Sequence, residues 1–467
     1  MVRDKKAFRV EKSDMILLGL KQRVSGLIVV GAMVVTAGLA GISGEAWGQQ
    51  FVNSRAVGGV VVDPSGMLAK AGAADLEEIR RLQADLGARI PAGMESKVPL
   101  RKISLVRITQ ALGEAIASGQ PVPEEIYLLG GLQEVRYIVA DREAKDIVLV
   151  GPAEGWKPGP SGVPIGVTSG RAVMLLDDLV VALRSLGRAK PEVITCSINP
   201  RPETLPEIER FTRALAPNTP PDLVAERVEQ ILGPQEVSVT GVPVDSHFAR
   251  VLVAADFRMK RFGLGLDPAP VPNLPPFTAF IRGQAAGMMP RWWLVPEAPP
   301  VQHDPEGLIW QLPEIKVKTL SETQFLAVRE QGRAATRSVP GAERWAEAMT
   351  AQYDRLAAAD PVFDQLRNCM ELALVAAVIT SQRLADRVGA DLGLLLDEDR
   401  LPRAQLVPAS KVPSRSVVVR TGRGALIACG GVEINPWRII AQSQQNPELR
   451  TIGSEMKLPA SANWWAN

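Results

Sequence analysis

The sequence predicts an α+β protein in two parts, an N-terminal α/β-like domain and a C-terminal mixed domain with a long core helix and antiparallel strands. Three observations carry that expectation. A strand–helix–helix–strand–helix order over about residues 190–263 follows a β-rich hairpin. Pro268, Pro270, Pro272, Pro275 and Pro276 then fall within nine residues, a density that forbids helix and central strand alike. Beyond them a long apolar helix, from about Val362 to Val388, lies among short β-rich runs. The resulting division is a leader at 1–48, an α+β domain at 49–265, a proline-rich linker at 266–276 and a mixed domain at 277–467.

The elements follow in order. Val60-Val61-Val62 meets the turn tetrad Asp63-Pro64-Ser65-Gly66. Helical spacing appears at Leu76, Ile79 and Leu82, and again from Ile103 to Ile116. Val135 to Ala140 and Ile147 to Val150 flank the polar stretch DREAKD, which reads as a hairpin. The next stretch, GPAEGWKPGPSG, is too rich in Gly and Pro for regular structure. Leu179, Val180, Leu183 and Leu186 then recur at helical spacing until Gly187. Val193 to Ser197 is a short strand, and Thr204 with Glu207 forms a capping-box pair opening a helix through Leu215. A second helix starts after Thr219-Pro220 and closes at Gly233-Pro234. Val237 and Val239 mark a strand. Phe248, Leu252, Ala255, Met259 and Phe262 share one helical face, with Asp245 or Ser246 as cap and Gly263 as stop. Past the linker, Trp292 to Val295, Leu308 to Leu312 and Ile315 to Thr319 read as strands. Trp345, Met349, Tyr353 and Leu356 mark an amphipathic helix ahead of the long one. Strand-like runs at Val417 to Val419, Gly424 to Cys429 and Val432 to Ile434 complete the chain.

Composition narrows the class. With 46% apolar and 22% charged residues, the chain is neither disordered nor a multi-span membrane protein. Its first 48 residues hold seven Lys/Arg and four Asp/Glu, which leaves the remainder within about one charge of neutral. A nucleic-acid binder needs a clustered basic surface to neutralise phosphates, and no run here supplies one. Arg3, Lys5, Lys6, Arg9, Lys12, Lys21 and Arg23 precede the apolar stretch Gly26 to Ala40, the order of a secretory signal. Small residues at Ala46 and Gly48 fit cleavage before Gln49, with Gly38-Leu39-Ala40 as a second option and Met15 as an alternative start. The competing reading is an uncleaved N-terminal membrane anchor. After the leader no stretch is long enough to span a bilayer, Cys369 to Ile379 being the nearest.

Several stretches together resemble a known group. They are LLGGLQEVRYIVADREAKDIVLVGPAEGW at 128–156, FARVLVAADFRMKRFGLGL at 248–266, RWWLVP at 291–296, AEAMTAQYDRLAAADPVFDQLRNCMEL at 346–372 and CGGVEI at 429–434. They resemble secreted proteins of planctomycete-type bacteria defined by a domain of unknown function. The resemblance implies export and a shared fold, and carries no catalytic residues.

Few residues point to chemistry. His247 and His303 are the only histidines and no Cys-x-x-Cys occurs, so no metal site is expected. Gly422-Arg423-Gly424 and Gly430-Gly431 lack the Gly-Lys-Ser/Thr ending of a phosphate loop, and Gly263-Leu264-Gly265 follows a helix rather than a strand, so no cofactor is implied. His303 beside Asp304 resembles a base with its orienting acid, but adjacent residues usually point apart. The loop bearing Glu154 and Trp156 offers a carboxylate and an indole to a ligand, against a structural alternative in which Glu154 binds backbone amides. Asp256 and Lys260, four apart, read as a solvated helical ion pair, with Asp256 also a ligand candidate. In Trp292-Trp293 and Trp464-Trp465, at most one of each pair can join a carbohydrate platform. Of three cysteines, Cys369 and Cys429 are the candidate disulfide, closing a loop of about 60 residues worth roughly 4 kcal/mol; three buried free thiols are the alternative. The expected role is a non-catalytic envelope or extracellular protein that binds another protein, a glycan or itself. The alternative is a secreted hydrolase using carboxylates such as Glu154 and Asp256.

Overall fold

Val98–Ser104 (β1) runs straight into Leu105–Ser118 (α1), because the Ser104 hydroxyl accepts the Arg107 N–H at 3.0 Å and so starts the helix where the strand ends. The computed structural model describes residues 56–467 apart from 83, 85, 87–89, 217, 282–288, 330–338, 340 and 419–424. The leader at 1–48 and Gly422-Arg423-Gly424 therefore lie outside the described residues. The hairpin around DREAKD forms between Tyr137–Asp141 (β2) and Asp146–Ala153 (β3), with Asp141 opposite Asp146. Leu176–Leu186 (α2), Ile194–Asn199 (β4), Leu205–Ala214 (α3), Pro221–Leu232 (α4) and Gln235–Thr240 (β5) follow. Thr204 does not close its capping box: its hydroxyl donates to the Arg201 carbonyl at 2.7 Å instead. Ser246 caps His247–Leu264 (α5), and Gly265, left-handed at φ 72°, ends it two residues beyond the expected stop.

The second half supplies Arg291–Glu297 (β6), Gln302–His303 (β7), Ile309–Gln311 (β8), Lys316–Ser321 (β9), Ala342–Ala359 (α6) and Pro361–Ser381 (α7). Lys411–Val412 (β10), Cys429–Ile434 (β11), Gln444–Gln445 (β12) and Trp465–Ala466 (β13) complete it. The long apolar helix stops at Ser381, earlier than its composition suggests, because Arg383 turns left-handed at φ 50° before a short helix at Leu384–Val388. Among the described residues no helix is long and apolar enough to cross a membrane.

The fold is α+β, built on two mixed sheets. The six-stranded sheet has the order β9-β6-β11-β4-β5-β10 and the seven-stranded sheet β12-β7-β8-β2-β3-β1-β13. Among the strands of the described residues, β6–β11 and β7–β12 pair in parallel. Strands from both sides of the proline-rich segment are neighbours in each sheet, as β4 is to β11 and β2 to β8. The expected split at 266–276 therefore gives way to one unit that takes in the described residues on both sides of it. The segment is itself packed: Leu274 and Phe277 are buried, Phe277 lies edge-on to Trp292 with ring centroids 5.4 Å apart, and the Trp345 indole donates to the Pro275 carbonyl. Proline excluded regular structure there but did not make a free linker. One core joins Ile103, Ile138 and Leu149 of one sheet to Cys196, Ile198 and Val432 of the other, with α2, α5 and α7 packed among them.

Candidate functional site

Glu154 follows β3 directly and is fully buried. Its carboxylate accepts hydrogen bonds from Gln133 Nε2, Thr168 N and Ser169 N, each at 2.9 Å, and from the Ser169 hydroxyl. Burial pushes its pKa up, but the Ser169, Gln133 and Thr168 bonds outweigh it and hold the group at about 2. Trp156 is buried beside Met94, Leu128 and Leu175, its indole donating to Glu124 at 2.5 Å. Neither residue presents anything to solvent, and the Gly/Pro-rich stretch expected to be irregular is partly strand, since β3 runs through Ala153 and Trp156–Pro158 pairs antiparallel with Pro164–Gly166.

Asp256 departs from the solvated pair expected of it. Asp256 is wholly buried and Lys260 nearly so, because β4 and β11 cover the face of α5 that carries them. The Lys260 ammonium donates to Asp256 at 2.8 Å and to the Ile198 and Gly430 carbonyls at 2.7 and 2.9 Å, tying the helix to two central strands. Burial raises Asp256 to about 6 despite the opposing Lys260 charge. No hydrogen-bond partner is common to Glu154 and Asp256.

The other sequence candidates separate in the same way. His303 Nδ1 meets the backbone oxygen of Asp304 at 2.8 Å, while the Asp304 carboxylate accepts Leu308 and Ile309 amides at 2.7 and 2.9 Å to close a turn. Trp292 is core, and Trp293 stacks flat on Phe325 at 4.3 Å. Trp464 and Trp465 are both half-buried. Cys369 and Cys429 are free, as is Cys196, so the expected bridge is not formed. Cys369 belongs to the main core near Asp178, whereas Cys429 packs with Ile208, Val224 and Val228 in a separate cluster. Gly430 and Gly431 admit the backbones of β6 and β4, not a helix: an added Cβ would lie 1.9 Å from the Trp292 carbonyl oxygen and 1.8 Å from that of Cys196.

Two polar groupings escaped the sequence reading. Beneath Cys369, His247 Nδ1 lies 3.0 Å from both Asp178 oxygens, with all three side chains buried. Burial lowers the His247 pKa, yet the Asp178 charge more than compensates and raises it. The second grouping is larger and reaches the surface. Glu134 accepts from Arg136 Nε at 3.3 Å and from Arg171 Nη1 at 3.2 Å. Arg171 Nε lies 3.9 Å from Asp364, whose carboxylate also takes the Ala172 amide at 2.7 Å and faces Arg367 at 3.6 Å. Glu371, one turn further along α7, accepts the Val135 amide. Burial drives it up to about 8, the Val135 bond opposes, Glu134 adds to the rise, and Arg171 and Arg367 oppose. Burial works against charge on Arg171, but Asp364 and Glu134 outweigh it and raise its pKa.

These side chains back a recess of about 500 Å³ at the end of the β2–β8 ladder, bordered by Glu134, Arg136, Tyr137, Arg171, Gln311 and Glu314. The chain crosses there from β8 in one sheet to β9 in the other. The sequence did hold one clue: Asp364, Arg367, Asn368 and Glu371 make a polar stripe at helical spacing on an otherwise apolar helix. Among the described residues no group of three His, Cys, Asp or Glu could hold a metal ion. No curated protein and no solved structure matches this chain. A family model described as a protein of unknown function (DUF1598) matches residues 196–277, the stretch from β4 through α5 and its buried Asp256–Lys260 pair to Phe277.

Proposed function

We propose that the chain is an exported envelope or extracellular protein of the planctomycete-type group, that it binds rather than catalyses, and that the Glu134–Arg171 recess is where it binds. The carrying observation is the recess itself: two guanidinium groups held on one carboxylate at the mouth of a 500 Å³ opening, a size ordinary for a small-molecule site. Support also comes from what the other candidates do, since Glu154 and Asp256 are committed to internal bonds. Export rests on the leader alone, and N-terminal sequencing from the native host should begin at Gln49 or close to it. An intact leader in a cytoplasmic fraction refutes that part. Binding is tested by immobilising the chain from Gln49 onward and passing host envelope extract over it. Material retained by wild type but released by Arg136→Ala supports the recess, and equal retention by both counts against it.

The hydrolase alternative keeps one supporting observation. Glu371, driven by burial to about 8, holds a proton at neutral pH, the state a general acid needs. Yet Glu371 is 1% exposed and does not border the recess. Turnover of material retained from the envelope extract that Glu371→Gln abolishes would favour that reading over ours.

A further inference from the structure

We infer that the ligand of the recess is an uncharged saccharide chain; this rests on the recess being the binding site. Charge balance argues first. Arg136 and Arg171 both sit on Glu134, Arg171 and Arg367 share Asp364, and Lys316 pairs with Glu314 at 3.0 Å and, like Arg367, with Asp354, so the four cations in and behind the opening face four carboxylates. An ionic ligand has to displace one of these partners, whereas a polyhydroxyl ligand adds hydrogen bonds and displaces nothing.

The hydrogen-bonding inventory points the same way. Glu134 engages Arg136 through Nε, and the arginine side chain remains 48% exposed. Arg171 Nη2 is buried with no hydrogen-bond partner among the described residues. The Tyr137 hydroxyl and the Gln311 amide make no hydrogen bond to a described side chain or backbone group, and the two residues stand directly opposite each other in the β2–β8 ladder. Guanidinium, carboxylate and amide are planar groups with two polar atoms side by side, a spacing that matches vicinal hydroxyls on a sugar ring. Pro313 and Tyr137 border the same opening, whose exposed lining is mostly polar, as hydroxyl-rich ligands require. Donors and acceptors thus share one mostly polar opening whose charges are matched.

The test uses the chain from Gln49 onward and isothermal titration with cellohexaose, maltohexaose, chitohexaose and mannohexaose, beside glutarate and inorganic phosphate as anionic probes. At least one hexasaccharide should bind, with affinity unchanged as NaCl is raised. Arg136→Ala and Gln311→Ala should each weaken it about tenfold or more while leaving the melting temperature near wild type. Binding of glutarate or phosphate alone, lost in Arg136→Ala, overturns the saccharide assignment and leaves the recess as a site. No binding by any probe, or binding that neither variant alters, overturns both.

Discussion

Lys260 directs its three N–H groups at Asp256, Ile198 and Gly430, all inside the protein. Removing a buried charge's partner is costly, because the survivor keeps its desolvation penalty without compensation. Lys260→Met should therefore destabilise by roughly 3–5 kcal/mol in urea unfolding, and Asp256→Leu added to it should recover part of that loss. A single variant within about 0.5 kcal/mol of wild type would show that the pair does not hold α5 to the sheet. Glu371 gives a second residue-scale prediction, in pH. Its folded pKa of about 8 stands above the ordinary 4.5, so its contribution is full below 4.5 and is lost as pH rises towards 8. The loss is on the order of 5 kcal/mol at about 1.4 kcal/mol per pH step. Asp177 and Asp256, each raised to about 6 by burial, slope the same way at lower pH, and His247 does so above 6.5. Glu371→Gln isolates the one group: its stability should decline less between pH 6 and 8 than wild type's, and parallel curves would refute the assignment. Neither residue was legible as buried. The spacing of Asp256 and Lys260 identifies a helix pair, but it cannot show that strands from 196 and 430 will cover it.

Elements were legible where a local group closes them. Ser246 acts within one turn of itself, and the β2–β3 hairpin needs only its own alternation and the polar turn between, whereas Ser104 and Gly265 close their helices one or two residues from where periodicity put the ends. Legibility failed where a distant partner decides. Thr204 and Glu207 have the capping-box spacing, yet the Thr204 hydroxyl turns back to Arg201. Gly430 and Gly431 could be read only as lacking a phosphate-loop ending, and their true constraint is backbone approach from β6 and β4. That difference can be measured. Gly430 lies at φ 101° and Gly431 is flanked by the Cys196 carbonyl, so alanine at either meets backbone that cannot swing aside. Each substitution should cost about 3 kcal/mol or more in thermal unfolding. Gly119→Ala is the control: at φ 64° with nothing within 4 Å, it pays only backbone strain of about 1–2 kcal/mol. Equal losses at all three positions would mean that β11 does not rely on close approach.

At the scale of the whole molecule, α+β class followed from alternating local periods, while topology did not. The proline cluster looked like a boundary because proline reports only on its own segment. Which strands pair across it depends on contacts separated by two hundred residues or so, and local periodicity carries no trace of those. In the folded chain β11 sits between β6 and β4, and β2 and β3 share a sheet with β7, β8, β12 and β13. Neither half can complete a sheet alone. Residues 49–265 would expose the β4 edge that β11 covers, and would leave one face of α5 without the α7 packing that buries it. Residues 277–467 would keep β6 and β11 but lose the α2 and α5 surfaces against which α7 is buried along nearly its whole length. Separately expressed, both fragments should lack a cooperative thermal transition and be digested at many sites, whereas the chain from Gln49 onward should unfold in a single transition. A sharp melt from either fragment, or two separated transitions in the full chain, would restore the division at 266–276. Exposed edges on each fragment also predict that both will associate in solution unless they are mixed during refolding, when the missing strands become available to each other.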